Sequence, residues 1–244
     1  MRSSVRIIAT VLILSPPLLA DEASATVLTV SAPDVRKGEV RVASGAGLDD
    51  DEHTLVADVS VGVTDRWRTG LEFEAERSPN APLLYEATTW ENVIRIADQT
   101  ANFPVSLGVR LDYDFAGRDG VSDAISARLL LQRQTERFET RVNLGVEREV
   151  GSRAGSDVGG DLRASVRLRG HRLSPALDYL GRVERLQSPE RFHQQDHRLG
   201  PVLYGRLGQN MRYEIGYLTG LSSTAPDQTL KLGVEYRIDL RGPS

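Results

Sequence analysis

The chain has 244 residues, of which 40% are hydrophobic, 26% charged and 6% aromatic, with a formal net charge of -4. That length suits one domain or two small ones, and the mild acidic excess excludes an electrostatic nucleic-acid binder as the default. Cysteine is absent, which excludes disulfides, thiolate metal sites, a thiol nucleophile and a cysteine-borne lipid anchor.

At the N-terminus, Arg2 and Arg6 precede the apolar run Ile7 to Leu14, then Pro16-Pro17-Leu18-Leu19-Ala20 and the small-residue site Ala23-Ser24-Ala25. This is the order of a secretory signal peptide, residues 1–25, with cleavage after Ala20 or Ala25. As a membrane anchor helix the run is too short, and Pro16-Pro17 would break it. No later stretch approaches a spanning helix, so a mature chain that enters a membrane must do so as a closed barrel. Residues 26–38 show no sustained pattern and are expected to form a periplasmic N-terminal segment. Residues 39–244 carry the barrel pattern.

The first strand starts near Glu39, with Val40, Val42 and Ala46 on one face, and the acidic loop Leu48 to Glu52 follows. The hairpin Leu55 to Glu76 is the clearest element of the chain. Leu55, Ala57, Val59, Val61 and Val63 alternate with Val56, Asp58, Ser60 and Gly62. After the Thr64-Asp65-Arg66 turn, Trp67, Thr69, Leu71, Phe73 and Ala75 alternate with Arg68, Gly70, Glu72, Glu74 and Glu76. Strict alternation is the mark of β-strand, because successive side chains point to opposite faces of the pleat. The prolines of Arg77 to Pro82 end the ladder.

A weaker fourth strand spans Tyr85 to Ala97, with Trp90, Ile94 and Ile96 opposite Glu91 and Arg95. In the fifth, Val105, Leu107, Val109, Leu111 and Tyr113 oppose Arg110 and Asp112; in the sixth, Ile125, Ala127, Leu129 and Leu131 oppose Arg128. Glu139 and Arg141 alternate with Phe138, Thr140, Val142 and Leu144 in the seventh strand, and Arg163 and Arg167 with Leu162, Ala164 and Val166 in the eighth. The ninth sets Asp178 and Arg182 against Pro175, Leu177 and Tyr179, and the tenth, His197 to Leu207, has ambiguous facing. In the last two, Arg212 and Glu214 oppose Met211 and Tyr213, and Lys231, Glu235 and Arg237 oppose Leu232, Val234 and Tyr236.

Twelve strands is an even number, and the loops sort by length, with tight turns on one side and longer Gly-, Pro-, Ser- and Asp-containing loops on the other. Only Asp98 to Pro104 is long on the short side. An outer-membrane barrel has this asymmetry, with both termini in the periplasm; a soluble sandwich has no physical reason for it. Trp67, Phe138, Tyr213 and Tyr236 fall near short-turn ends, and Phe73, Tyr85, Tyr113 and Tyr217 near long-loop ends, as two interfacial girdles would. The predicted fold is an all-β, twelve-stranded antiparallel transmembrane barrel of the outer membrane, in contact with outer-membrane lipid and delivered by the barrel-insertion machinery.

Several stretches resemble the Gram-negative outer-membrane barrels loosely grouped with the MetA-pathway phenol-degradation and transporter-like proteins. They are Lys37-Gly38-Glu39, Gly62-Val63-Thr64-Asp65-Arg66, Tyr85-Glu86-Ala87, Trp90-Glu91-Asn92 and Leu199-Gly200-Pro201-Val202-Leu203-Tyr204. The resemblance implies a barrel and a role in the passage of small molecules. Barrels of this kind end on an aromatic residue read by the insertion machinery, whereas this chain continues past Tyr236 to Ser244. Recognition then falls to Tyr236 or to Leu240.

The charged positions that alternate with the apolar ones form the expected lumen lining. They are Glu72, Glu74, Glu76, Glu91, Arg95, Arg110, Asp112, Arg128, Glu139, Arg141, Arg163, Arg167, Asp178, Arg182, Arg212, Glu214, Lys231, Glu235 and Arg237. One reading is a selectivity lining that sorts small-molecule solutes by charge; the other is a plug of ion pairs that fills the lumen. About eight strands give a filled interior and about sixteen an open channel, so twelve stands between.

His193 and His197 flank Asp196, but their spacing makes a metal site only on a helix, so no metal is assigned. His53 and His171 read as isolated surface residues. The outward threonines Thr69, Thr88, Thr140 and Thr219 lack an outward histidine to activate them, so no catalytic residue is assigned. Glycine-rich stretches such as Gly151 to Gly160 are followed by no helix and cradle no phosphate, and no cofactor motif is present. The expected function is a passive, non-enzymatic channel. The alternatives are a closed barrel that binds partners or stabilises the envelope, and a lipid-modifying enzyme.

Overall fold

Every strand of the computed structural model pairs with the one before it in the chain, and the last pairs back with the first. The result is a closed antiparallel barrel of twelve strands. The structure describes residues 28–241 except 51, 79, 80, 153 and 171; the predicted signal peptide and His171 lie outside the described residues. The strands are β1 (Glu39–Asp49), β2 (His53–Gly62), β3 (Trp67–Arg77), β4 (Leu83–Ala97), β5 (Ser106–Ala116) and β6 (Asp123–Gln134). They continue as β7 (Phe138–Val150), β8 (Val158–Leu168), β9 (Leu173–Val183), β10 (Asp196–Leu207), β11 (Met211–Gly220) and β12 (Gln228–Asp239). Closure runs the full length of β1, from Glu39 opposite Asp239 to Asp49 opposite Thr229. No edge is left to pair with another chain.

The alternation read from the sequence decides which face meets lipid. Leu55, Val59, Leu71, Phe73, Leu111, Leu144, Val234 and Tyr236 lie on the exposed outer surface, while Glu72, Glu74, Glu91, Arg110 and Lys231 are buried inside. Polar groups on the outer face are bonded across strands: the Trp67 indole N–H donates to Asn92 and that of Trp90 to Thr69. Without such acceptors each indole N–H would stand unpaired in hydrocarbon.

The irregular places have local causes. Pro175 sits in β9 at no cost on one side, because the β8 ladder ends one residue short of it, at Ala176. The β10–β11 register skips Gly200 and Pro201, where proline has no N–H to give. The long connection between β4 and β5 is clamped to the β6–β7 turn. There the Gln99 side chain donates to the Gln134 carbonyl and accepts from the Gln134 backbone N–H. The long loop before β10 contains one 3-10 turn, Phe192–Gln194.

The N-terminal stretch departs from expectation. Residues 28–36, predicted to be a periplasmic segment, run inside the barrel. From the short-turn end, where Gly38 donates to the Gly62 carbonyl, the segment can be followed back past Asp34 and Ser31 to Leu28, which lies against Gly47 toward the long-loop end. Inward apolar residues receive it. Val30 packs with Leu180, Val202 and Leu218, and Val35 with Val93 and Leu130. Two glycines make room. A side chain at Gly62 would collide with the Arg36 carbonyl, and one at Gly108 would come within 2.7 Å of Pro33.

Candidate functional site

Aliphatic residues at inward positions hold the N-terminal segment by its apolar side chains, and the charged wall holds it by its backbone. Asn143, fully buried on β7, donates to the Ser31 carbonyl and accepts from the Ser31 N–H, at 3.0 and 2.7 Å. Arg141 donates to the Val30 carbonyl and Arg163 to that of Thr29. Arg41 and Arg68 both donate to the Asp34 carbonyl, and the Asp34 carboxylate pairs with Arg237 at 3.2 Å. Thr29 donates its hydroxyl to Glu214. An extended strand without sheet partners would otherwise leave these groups unsatisfied, at about 1–3 kcal/mol for each one stranded.

Around the segment the wall divides into three ion-pair groups. On β3, β4 and β5, Glu91 accepts from Arg68 at 2.9 Å and from Arg110 at 2.8 Å, and Arg110 also binds Asp112 at 2.8 Å. Glu72 stands 3.7 Å from Arg110. Asp58 on β2, opposite Glu72, and Glu74 and Glu76 toward the long-loop end of β3 each bury one carboxylate oxygen without a hydrogen-bond donor.

On β6, β7 and β8, Asp161 bridges Arg128 and Arg163 at 2.9 and 3.2 Å, and Glu139 bridges Arg141 and Arg167 at 2.7 and 3.6 Å. The Arg167 guanidinium stacks on Tyr204, 3.3 Å from the ring centroid. Its Nε and Nη2 are buried with no acceptor.

On β9 to β12, Asp178 is completely buried. It accepts from Ser165, Tyr204 and Lys231 at 2.6, 2.6 and 3.2 Å, and Lys231 also pairs with Glu214. Arg237 joins Glu235 and Glu39 to this side, near Arg212.

Of the lining residues expected from the sequence, two stand at the rims. Arg95 pairs with Asp98 beside the short turns, and Arg182 lies between Glu147 and Glu184 toward the long loops. Arg41, Arg68, Asn143, Asp161, Tyr204 and the Asp34 of the inner segment were missed by sequence reasoning. For the strand residues the signal was there, in their alternation with outward neighbours. For the segment it lay in Val93, Leu130, Leu180 and Leu218, apolar side chains at positions where the pattern otherwise places charge.

The space left beside the segment is a cavity of about 220 Å³ lined by Ser31, Tyr204, arginines that include Arg41, Arg141, Arg163, Arg167, Arg212 and Arg237, and the carboxylates Asp34, Asp58, Glu72, Glu91, Glu214 and Glu235. A smaller one of about 70 Å³ lies beyond Leu28, between Arg128, Asp161, Arg182 and Arg198. Arg163 lines both.

Of the histidine pair, His197 is accounted for structurally. His197 stacks on Phe192 with ring centroids 4.0 Å apart, and its two ring nitrogens bond Tyr179 and Gln195. Among the described residues no group of three or more His, Asp or Glu has the arrangement to hold a metal ion. Thr69 donates its hydroxyl to the Glu91 carbonyl and accepts the Trp90 indole.

No protein-family model matches the chain, and no curated protein matches it. Solved structures do. An outer membrane channel from Pseudomonas putida F1 is 12% identical with a TM-score of 0.60, covering 83% of this chain and 96% of its own. The NanC porin is 12% identical with a TM-score of 0.58, covering 82% of this chain and 100% of its own. The KdgM porin, solved in complex with disordered oligogalacturonate, is 12% identical with a TM-score of 0.54, covering 81% of this chain and 98% of its own. At that identity the likeness is one of fold. The protein is a closed twelve-stranded β-barrel of the outer membrane.

Proposed function

We propose that the protein is a passive channel for small solutes, non-enzymatic, in which the lumen wall supplies charge and residues 28–36 form the constriction. The observation that carries this reading is the polar interior itself. A barrel whose only task is to be stable fills its core most cheaply with apolar side chains, because buried ion pairs barely repay their desolvation. Here the inner wall is instead a belt of arginines and carboxylates with a cavity of about 220 Å³ among them. Solutes entering from either side meet that cavity next to the inner segment.

The kinship with the MetA-pathway and transporter-like group belongs to this reading, as does the lining role of Glu72, Arg110, Arg141, Arg163, Arg237 and their neighbours. The outer-membrane porin and channel structures that share the fold support it. Planar-bilayer recordings of the purified full chain test it: discrete conductance steps above background are expected, and their absence overturns the channel.

A second reading, a closed barrel that binds partners or stabilises the envelope, is favoured by one observation. The inner segment is tied at both its apolar and its polar groups, as a permanent plug would be. Under this reading, deleting Gln187 to Gln195 from the longest outer loop weakens partner binding or the envelope, and conductance stays at background.

A further inference from the structure

On the arc formed by β6, β7 and β8, four cations share two carboxylates. Arg128 and Arg163 converge on Asp161, and Arg141 and Arg167 on Glu139. Arg163 also donates to the neutral Thr29 carbonyl and Arg141 to the neutral Val30 carbonyl. A carbonyl dipole satisfies an N–H but does not cancel a charge, so this arc keeps an excess of positive charge in a buried place. Arg167 shows it most directly, with two nitrogens lacking any acceptor. The nearest further carboxylate of the wall, Asp178, is already taken by Ser165, Tyr204 and Lys231.

Arg141, Arg163 and Arg167 line the larger cavity with Arg212 and four more arginines, against the six carboxylates Asp34, Asp58, Glu72, Glu91, Glu214 and Glu235, so arginines remain in excess there. We propose that this cavity is a binding site for a small organic carboxylate. Its carboxylate is taken by Arg167, after a small turn of that side chain, together with Arg212, and the inner segment at Ser31 and Asp34 forms the opposite wall. A guanidinium offers two parallel N–H groups that match a carboxylate fork, a geometry that lysine would not provide. At roughly 30 Å³ per water the cavity has room for about seven waters, so the ligand is the size of a four- to six-carbon acid. The proposal builds on the channel reading by placing a solute class at one part of the lumen.

Calorimetric titration of the full chain in detergent at low ionic strength tests the site, with succinate as probe and succinamide as its uncharged counterpart. Saturable succinate binding is expected, at least tenfold weaker in Arg167→Gln and in Arg212→Gln, with no heat from succinamide. Folding of each variant is checked by the mobility shift between unheated and heated samples on a denaturing gel. If Arg167→Gln lacks that shift, Arg212→Gln alone decides. Failure of succinate to bind, equal binding of succinamide, or unchanged affinity in a folded variant would overturn the site. Bilayer conductance of the same preparation separates the two ideas. Conductance without succinate binding removes the site and leaves the channel, and binding without conductance removes the channel and leaves the site.

Discussion

The two long arcs of the inner wall solve the same problem with opposite surpluses. On β2 to β5, Asp58, Glu72, Glu74, Glu76, Glu91 and Asp112 outnumber Arg68 and Arg110, and three carboxylate oxygens there have no donor. On β6 to β8 the arginines are in excess, and they bind the backbone of residues 29 and 30. The difference teaches why the inner segment docks as it does. Its carbonyls are acceptors, so it is drawn to the arc with spare N–H groups. It touches the acidic arc mainly at the short-turn end, where Arg68 offers a donor to Asp34.

That contrast can be broken most severely by removing the segment. Deleting residues 28–36 exposes both arcs to water and widens the passage, and single-channel conductance should rise several-fold. An unchanged conductance would mean that the segment does not set the constriction. A wedge should give a smaller rise. In Gly108→Val the added side chain occupies the place of Pro33 and pushes the segment off the β5 wall, which limited proteolysis near Val35 would report as faster cleavage.

Asn143→Ala removes both hydrogen bonds to Ser31 and should weaken docking by about 1–3 kcal/mol. Hydrogen exchange at residues 29–33 would then be faster while the strand amides stay protected. The smallest effect is expected at the acidic arc. Glu76→Gln removes one charge from a carboxylate that has an oxygen without a donor, and the reversal potential in a salt gradient should shift a few millivolts toward anion preference. A shift toward cations would contradict the assignment of the two arcs.

Much of this was legible along the chain. Glu72, Glu74 and Glu76 alternating with Leu71, Phe73 and Ala75 can only place acids on one side of a pleat and apolar groups on the other. The same logic held through β12, with Lys231, Glu235 and Arg237. β10 was ambiguous because Val202 points inward among polar neighbours while Pro201 points outward, and alternation cannot explain an inward valine without its partner Val30. Residues 28–36 gave no pattern for the same reason: a segment that bonds through its backbone needs no periodicity in its side chains.

Local sequence therefore determined the strands and their two faces, since each follows from neighbours one or two residues apart. Only the closed tertiary structure decided which charges meet. Glu139 and Arg167, or Asp178 and Lys231, come together through cross-strand register and the curvature of the barrel. It also decided that residues 28–36 lie within the wall they precede. Asn143 and Ser31 are 112 positions apart, and nothing short of closing the cylinder brings them within reach.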